Sequence, residues 1–337
     1  MIVGVFYCCM KRLQYLDGYN LSLSTYMVKN YSPFSLLPEA EEAYQQWRSW
    51  KLSVYPEQAS ELLVPIKDPF SLAQPERDLI RQCFIRANMA IYSINNVSDF
   101  ANKKIVQTLG NEFGLLRLDN NLGADEDSIT SLEVIKGGQK QGYIPYSDKR
   151  LSWHTDGYYN LPEQQIHGVI LHCVNPAVEG GENALLDHEM MYIHLRDQDP
   201  AYISALMEPG VLTIPANIEN GVEIRAEQTG PVFSVDAKSG ALHMRYSARK
   251  RNIVWSDNEI TKAAVNAIDD FLASDSDWIL RHRLESGQGL ICNNVLHNRT
   301  SFKNGDNSGQ QRLIYRGRYY DRLADTSFND TAKAMSS

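Results

Sequence analysis

Long hydrophobic runs are missing from this 337-residue sequence. No stretch approaches the roughly 20 apolar residues that a membrane helix needs, so no membrane role is expected. A run of basic residues is missing too. The 33 Lys and Arg stand against 41 Asp and Glu, a formal net charge of −8. That argues against a nucleic-acid surface and gives no reason to invoke an anionic lipid surface. Cysteine is scarce and scattered: Cys8, Cys9, Cys83, Cys173 and Cys292 are odd in number and show no CxxC spacing. A disulfide scaffold or a cysteine zinc site is therefore not expected, and a reducing cytoplasm fits best. Residues 1–10 are apolar but have no cationic leader, and they read as a buried or frayed strand. No internal repeat or low-complexity linker is visible.

What is present supports a folded enzyme-sized unit. Apolar residues make up 43% of the chain, enough to bury a sizeable core. The expected organisation is a single domain over 1–337, with a mostly helical lead-in to residue 95. Pro38 opens a helical stretch through Trp50, Pro75 opens a second, and Ser98 precedes a third in which Ile105, Leu109 and Phe113 recur every fourth residue. From about residue 130 the texture changes to short strands, expected at 132–135, 166–174, 232–235, 242–246, 279–283, 290–293 and 312–319. Turns are expected at 236–240 and 287–289. Helices should interrupt this region between about 187 and 275, the last with a capping box of Ser256 and Glu259. Residues 323–337 form a C-terminal tail. The fold class expected is α+β, mainly β: a jelly-roll core over 96–322 with flanking helices.

The chemistry concentrates at Trp153-His154-Thr155-Asp156-Gly157. On an extended strand, residues two apart project from one face, so His154 and Asp156 can reach a common metal ion. His297 would supply a third ligand from a late strand. Two histidines and one carboxylate make the facial triad of non-haem iron(II) oxygenases. It leaves three coordination positions open, the number a chelating 2-oxo acid and dioxygen require together. Downstream, Arg312, Arg316 and Arg318 alternate along an expected strand, so all three could share a face. Same-face cations repel one another unless anions lie opposite, and a guanidinium fork suits the distal carboxylate of 2-oxoglutarate. A solvated edge strand is the bland alternative.

In this setting the chain resembles the taurine dioxygenase family. The resemblance rests on His154-Thr-Asp156, Gly180-Gly-Glu-Asn183, Leu296-His297-Asn-Arg299 and Gln311-Arg312, in that order, and covers roughly residues 88 to 322. Within the family the pattern is most similar to carbon-starvation-induced glutarate hydroxylases. The shared points are Gly157, Pro231-Val-Phe-Ser-Val-Asp236, Met244-Arg-Tyr246, Asn293-Asn294 and the arginine row.

The resemblance implies a jelly-roll dioxygenase with Fe(II) on His154, Asp156 and His297, and 2-oxoglutarate as co-substrate. Arg312 would hold the distal carboxylate, with Asn183 where many relatives carry a hydroxyl residue. Arg316 would engage an anionic group of substrate or co-substrate, supported by Arg318. The reaction implied is hydroxylation of a C–H bond in a small, carboxylate-bearing molecule, consuming O2 and releasing succinate and CO2. Tyr158 and Tyr159 either line the substrate pocket or belong to the core. Arg245 and His243 either contact substrate or form the polar outer face of a strand. His167, His172, His188, His194 and His282 fit no ligand spacing with the triad and read as structural or surface residues. A non-catalytic, metal-containing jelly-roll protein that binds a small anion is the alternative function. Homo-oligomerisation stays open.

Overall fold

A computed structural model describes residues 31–95, 100–120, 125–135, 137, 144–249, 251 and 253–336. The N-terminal expectation, including Cys8 and Cys9, and the helix-preceding Ser98 lie outside these residues.

Two facing sheets form the core. The larger has six strands in the order Leu63–Ile66, Met89–Ile94, Gln288–Cys292, Gly168–Asn175, Leu313–Tyr319, Thr130–Leu132. All neighbours in it are antiparallel except the first pair. The smaller runs Leu280–His282, Asn183–Leu186, Leu296–Arg299, Leu151–His154, antiparallel throughout. The sequence explains the asymmetry. Gly168–Asn175 reads Gly-Val-Ile-Leu-His-Cys-Val-Asn and is buried on both faces up to Asn175, as befits a central strand covered on each side. The helix Lys104–Glu112 covers one side of that sheet, with Ile105, Val106 and Leu109 fully buried. The expected jelly roll with helices outside is the architecture observed, and one apolar cluster runs from Phe34 to Leu323.

The lead-in departs from the mostly helical expectation. Helices do form at Glu41–Val54 and Gln74–Ala87, the second with Pro75 in its first turn and Asn88 closing it at φ 54°. Between and after them, however, Leu63–Ile66 and Met89–Ile94 join the larger sheet. Met89–Ile94 is apolar without alternation because it is buried on both faces, and periodicity alone does not separate such a run from a buried helix. The helix Glu259–Ala273 is capped by Asn258, whose Oδ1 accepts from Ile260 N at 2.8 Å. Ser256 instead bonds Thr261, so the expected capping box does not form. The turn at 236–240 is as expected, joining Phe233–Val235 to Leu242–Met244 with Gly240 at φ 66°.

Candidate active site

His154 ends the strand Leu151–His154, and His297 lies directly opposite it on Leu296–Arg299. Their rings are 4.3 Å apart. Asp156 is not on the same strand as His154, as alternation had suggested; it sits in the turn that follows. Gly157 makes that turn at φ 66°, where a Cβ would collide with Ile166. Glycine alone meets both demands. One ligand atom from each of His154, Asp156 and His297 lies within 4.8 Å of the others.

The residues present fit a metal ion. His154 Nδ1 and His297 Nδ1 each bond a backbone carbonyl two residues upstream, Ser152 O and Val295 O, both at 2.9 Å. Those bonds set the tautomer that leaves Nε2 as a lone-pair donor toward the centre. Burial, with His297 and Arg316 adding positive charge, pushes the His154 imidazole down to about 3. Burial alone would raise the Asp156 carboxyl, yet Arg316, His297 and Arg318 hold it well below the usual carboxylate range. Neutral imidazole and ionised carboxylate are the ligating forms. Asp156 Oδ2 is buried and makes no hydrogen bond, an orphaned oxygen that a cation would satisfy.

The arginines do not form one row. Arg312 precedes the strand Leu313–Tyr319, and a register shift between Leu313 and Ile314 separates it from the other two. It lies over the Phe302 ring at 5.0 Å and lines a small cavity with Asn183, Gly180 and Gly181. Gly180, at φ 73°, has no room for a Cβ beside Ser301 O. Among the described residues the Arg312 guanidinium has no carboxylate partner, and burial lowers its pKa to about 10. A buried guanidinium without an anionic partner leaves its N–H donors available to a carboxylate. Asn183 shares this cavity, its Nδ2 donating to Asn298 O at 3.4 Å.

Arg316 Nη1 donates to Asp156 Oδ1 at 3.1 Å, while its Nε has no partner. Arg318 pairs with Asp119 and donates to Tyr159 Oη at 2.8 Å. Tyr159 packs edge-on against half-buried Tyr158. Arg245 spends four of its N–H groups on backbone carbonyls of Tyr158, Leu212, Gly230 and Gln228, at 2.7–3.2 Å. It is a brace for the loop after the metal ligands rather than a free substrate contact. His243 lies apart from the triad, facing His167 at 4.5 Å.

Three contributors had no role assigned from the sequence, although Asn294 stands among the residues of the resemblance. Asn294, at φ 49°, bonds both the N–H and the carbonyl of Asp156. Asp119 neutralises Arg318 from 199 positions away. Arg225 comes from the hairpin Asn217–Glu219 and Val222–Arg225, and its guanidinium stands 5.7 Å from the Tyr159 ring. A polar residue beside the distal histidine was a signal for Asn294; Asp119 and Arg225 carried none.

A buried two-histidine, one-carboxylate centre in a jelly roll is the arrangement that non-haem iron(II) oxygenases use. Residues 53–318 match the family described as "Taurine catabolism dioxygenase TauD, TfdA family", and the chain belongs to it. A uridine-5'-phosphate dioxygenase of Streptomyces sp is 30% identical over 220 residues, covering 61% of this chain and 77% of the relative. Among solved structures, an asparagine oxygenase in complex with Fe(II), 3-hydroxyasparagine and succinate aligns with a TM-score of 0.52 at 13% identity, covering 83% of this chain and 91% of its own. The non-heme iron oxygenase OrfP with Fe and alpha-ketoglutaric acid aligns at 0.53 and 15%, covering 74% and 80%. The chain is an iron- and 2-oxoglutarate-dependent dioxygenase that hydroxylates a small molecule.

Proposed function

We propose that Fe(II) binds His154, Asp156 and His297, that Arg312 with Asn183 receives the distal carboxylate of 2-oxoglutarate, and that the substrate is a small molecule carrying an oxyanion such as a carboxylate. When bound, iron with 2-oxoglutarate and dioxygen supplies the oxidant for a C–H bond, releasing succinate and CO2. The chain's own residues position and shield that chemistry. Arg316 keeps Asp156 ionised and turns its remaining donors toward the substrate anion. Arg318, fixed by Asp119 and Tyr159, raises the positive potential behind it. Tyr158 and Tyr159, held by Arg245 and Arg318, wall the site against water. The free buried thiols of Cys173 and Cys292 suit a reducing cytoplasm.

Charge balance carries the substrate reading. Among the described residues Arg316 and Arg318 pair with Asp156 and Asp119 and Arg312 with no carboxylate, and a divalent ion adds two positive charges. The dianion 2-oxoglutarate leaves one positive charge over, which an anionic group on the substrate matches. The Streptomyces relative is named for a substrate that also bears an oxyanion, a phosphate.

Succinate release measured across a panel of small carboxylic acids, nucleoside monophosphates, neutral amides and amines tests this. An anionic compound should give the strongest stimulation, with its KM raised roughly tenfold or more in Arg316→Met. Strongest stimulation by a cationic or neutral compound overturns the substrate reading.

A further inference from the structure

The loop that follows the metal ligands has a second face, turned away from the triad onto an open cavity. His167, Asp236, Lys238, His243, Tyr320 and Arg322 line it, and none of the metal ligands does. The cavity joins the start of the strand Gly168–Asn175 to the hairpin that ends in Leu242–Met244.

Two of its three carboxylates are committed, while Glu163 at the exposed rim makes no side-chain bond among the described residues. Asp236 Oδ1 accepts from Ser239 N, Ser239 Oγ and Lys238 N. Asp321 accepts from Leu116 N, Arg117 N and Arg117 Nε. Arg322 is committed as well, donating to Asn88 Oδ1, Leu242 O and Thr326. His243 is not. It is 6% exposed and lines the cavity, yet neither ring nitrogen has a hydrogen-bond partner among the described residues. His167, whose ring centroid is 4.5 Å away at 50°, likewise makes no side-chain bond among them.

Buried His172 behaves differently, bonding Tyr92 Oη and Phe100 O through its two ring nitrogens. Buried His243 and half-buried His167 face the open cavity, where a ligand can take the bonds that the protein does not supply. Glu163 at the rim aside, the uncommitted groups are two imidazoles, each able to donate an N–H, and the Lys238 ammonium, with the Arg322 charge behind them. That set suits a ligand offering at least two acceptor oxygens and negative charge.

We propose that this cavity is a second small-molecule site, separate from the iron centre, that takes a small oxyanion, with His243 and His167 donating to its oxygens and Lys238 closing the mouth. It is independent of the substrate reading above.

Calorimetric titration of the iron-loaded, 2-oxoglutarate-saturated enzyme under anaerobic conditions tests it, with inorganic phosphate and acetate as separate probes. Saturating co-substrate keeps Arg312 occupied. Saturable binding of either probe is expected, and which one binds separates a phosphate ester from a carboxylate as the natural class. Lys238→Met, at the surface and harmless to folding, should weaken binding several-fold. His243→Phe should weaken it at least tenfold, while succinate formation stays at the wild-type rate in both. Absence of binding by both probes at millimolar concentration overturns the proposal. So does binding that both variants leave unchanged, because that places the anion elsewhere.

Discussion

Asn294 grips Asp156 by its backbone on both sides: Asn294 Oδ1 accepts from Asp156 N at 2.7 Å, and Asn294 Nδ2 donates to Asp156 O at 2.9 Å. The same amide nitrogen reaches Ile166 O at 2.6 Å. One side chain thus pins both ends of the loop that carries the metal carboxylate. Residues that orient metal ligands typically contribute 10–100-fold to metal affinity. Asn294→Gly keeps the positive φ accessible and removes only the amide. It should lower Fe(II) affinity by about that factor in an anaerobic titration, with the fold intact by circular dichroism. Unchanged affinity would show that the Gly157 turn holds Asp156 without help.

The site was partly legible in the sequence because its chemistry depends on local spacing. His154 and Asp156 are two apart, and Arg312 follows His297 closely in the chain. Asn294 and Asp119 were not legible in that way. Their roles exist only after the fold brings them to Asp156 and Arg318, 138 and 199 positions away. The same limit explains Met89–Ile94: its partners Gln288–Cys292 lie far along the chain, and without them it is only an apolar run. The apparent Arg312/Arg316/Arg318 row fails for a local reason, a bulge that alternation cannot reveal.

The role proposed for Arg312 gives a separate test of the co-substrate reading. Arg312 is buried, unpaired with any described carboxylate, and distant in role from the anion site at Arg316. Arg312→Met should raise the KM for 2-oxoglutarate by roughly one to two orders of magnitude, the loss of a charge-assisted bidentate contact. Steady-state kinetics with saturating primary substrate measures it. A KM within twofold of wild type would move the distal carboxylate to another residue.

Lys51 ties the lead-in to the core. Its ammonium, with no side-chain exposure, lies 2.6 Å from both Asp187 Oδ2 and Glu189 Oε2. Asp187 directly follows the strand Asn183–Leu186 and caps the helix His188–Gln198. Lys51→Met strands two buried carboxylates and should cost about 3–5 kcal/mol in urea unfolding. A loss below about 1 kcal/mol, the size of an exposed pair, would mean that water reaches the carboxylates once lysine is gone.

Acid should destabilise the protein well before its carboxylates titrate. Burial pushes His167 and His172 from 6.5 down to about 4. As pH falls from 6.5 toward 4 the unfolded chain takes up these protons and the folded chain does not. Stability is therefore full above 6.5 and declines through that window, by up to about 1.4 kcal/mol per pH unit for each histidine. Urea midpoints at several pH values should show the decline, and His172→Phe should reduce its slope. Equal slopes in the two proteins would remove His172 from this account.

The central claim is that His154, Asp156 and His297 bind the iron that drives turnover. Its most direct measurement is anaerobic reconstitution with Fe(II) and 2-oxoglutarate, then oxygen exposure and succinate quantification, in wild type beside Asp156→Ala. The account predicts oxygen-dependent succinate from wild type and none above the buffer control from Asp156→Ala. Succinate from Asp156→Ala at the wild-type rate would contradict it and place the metal elsewhere.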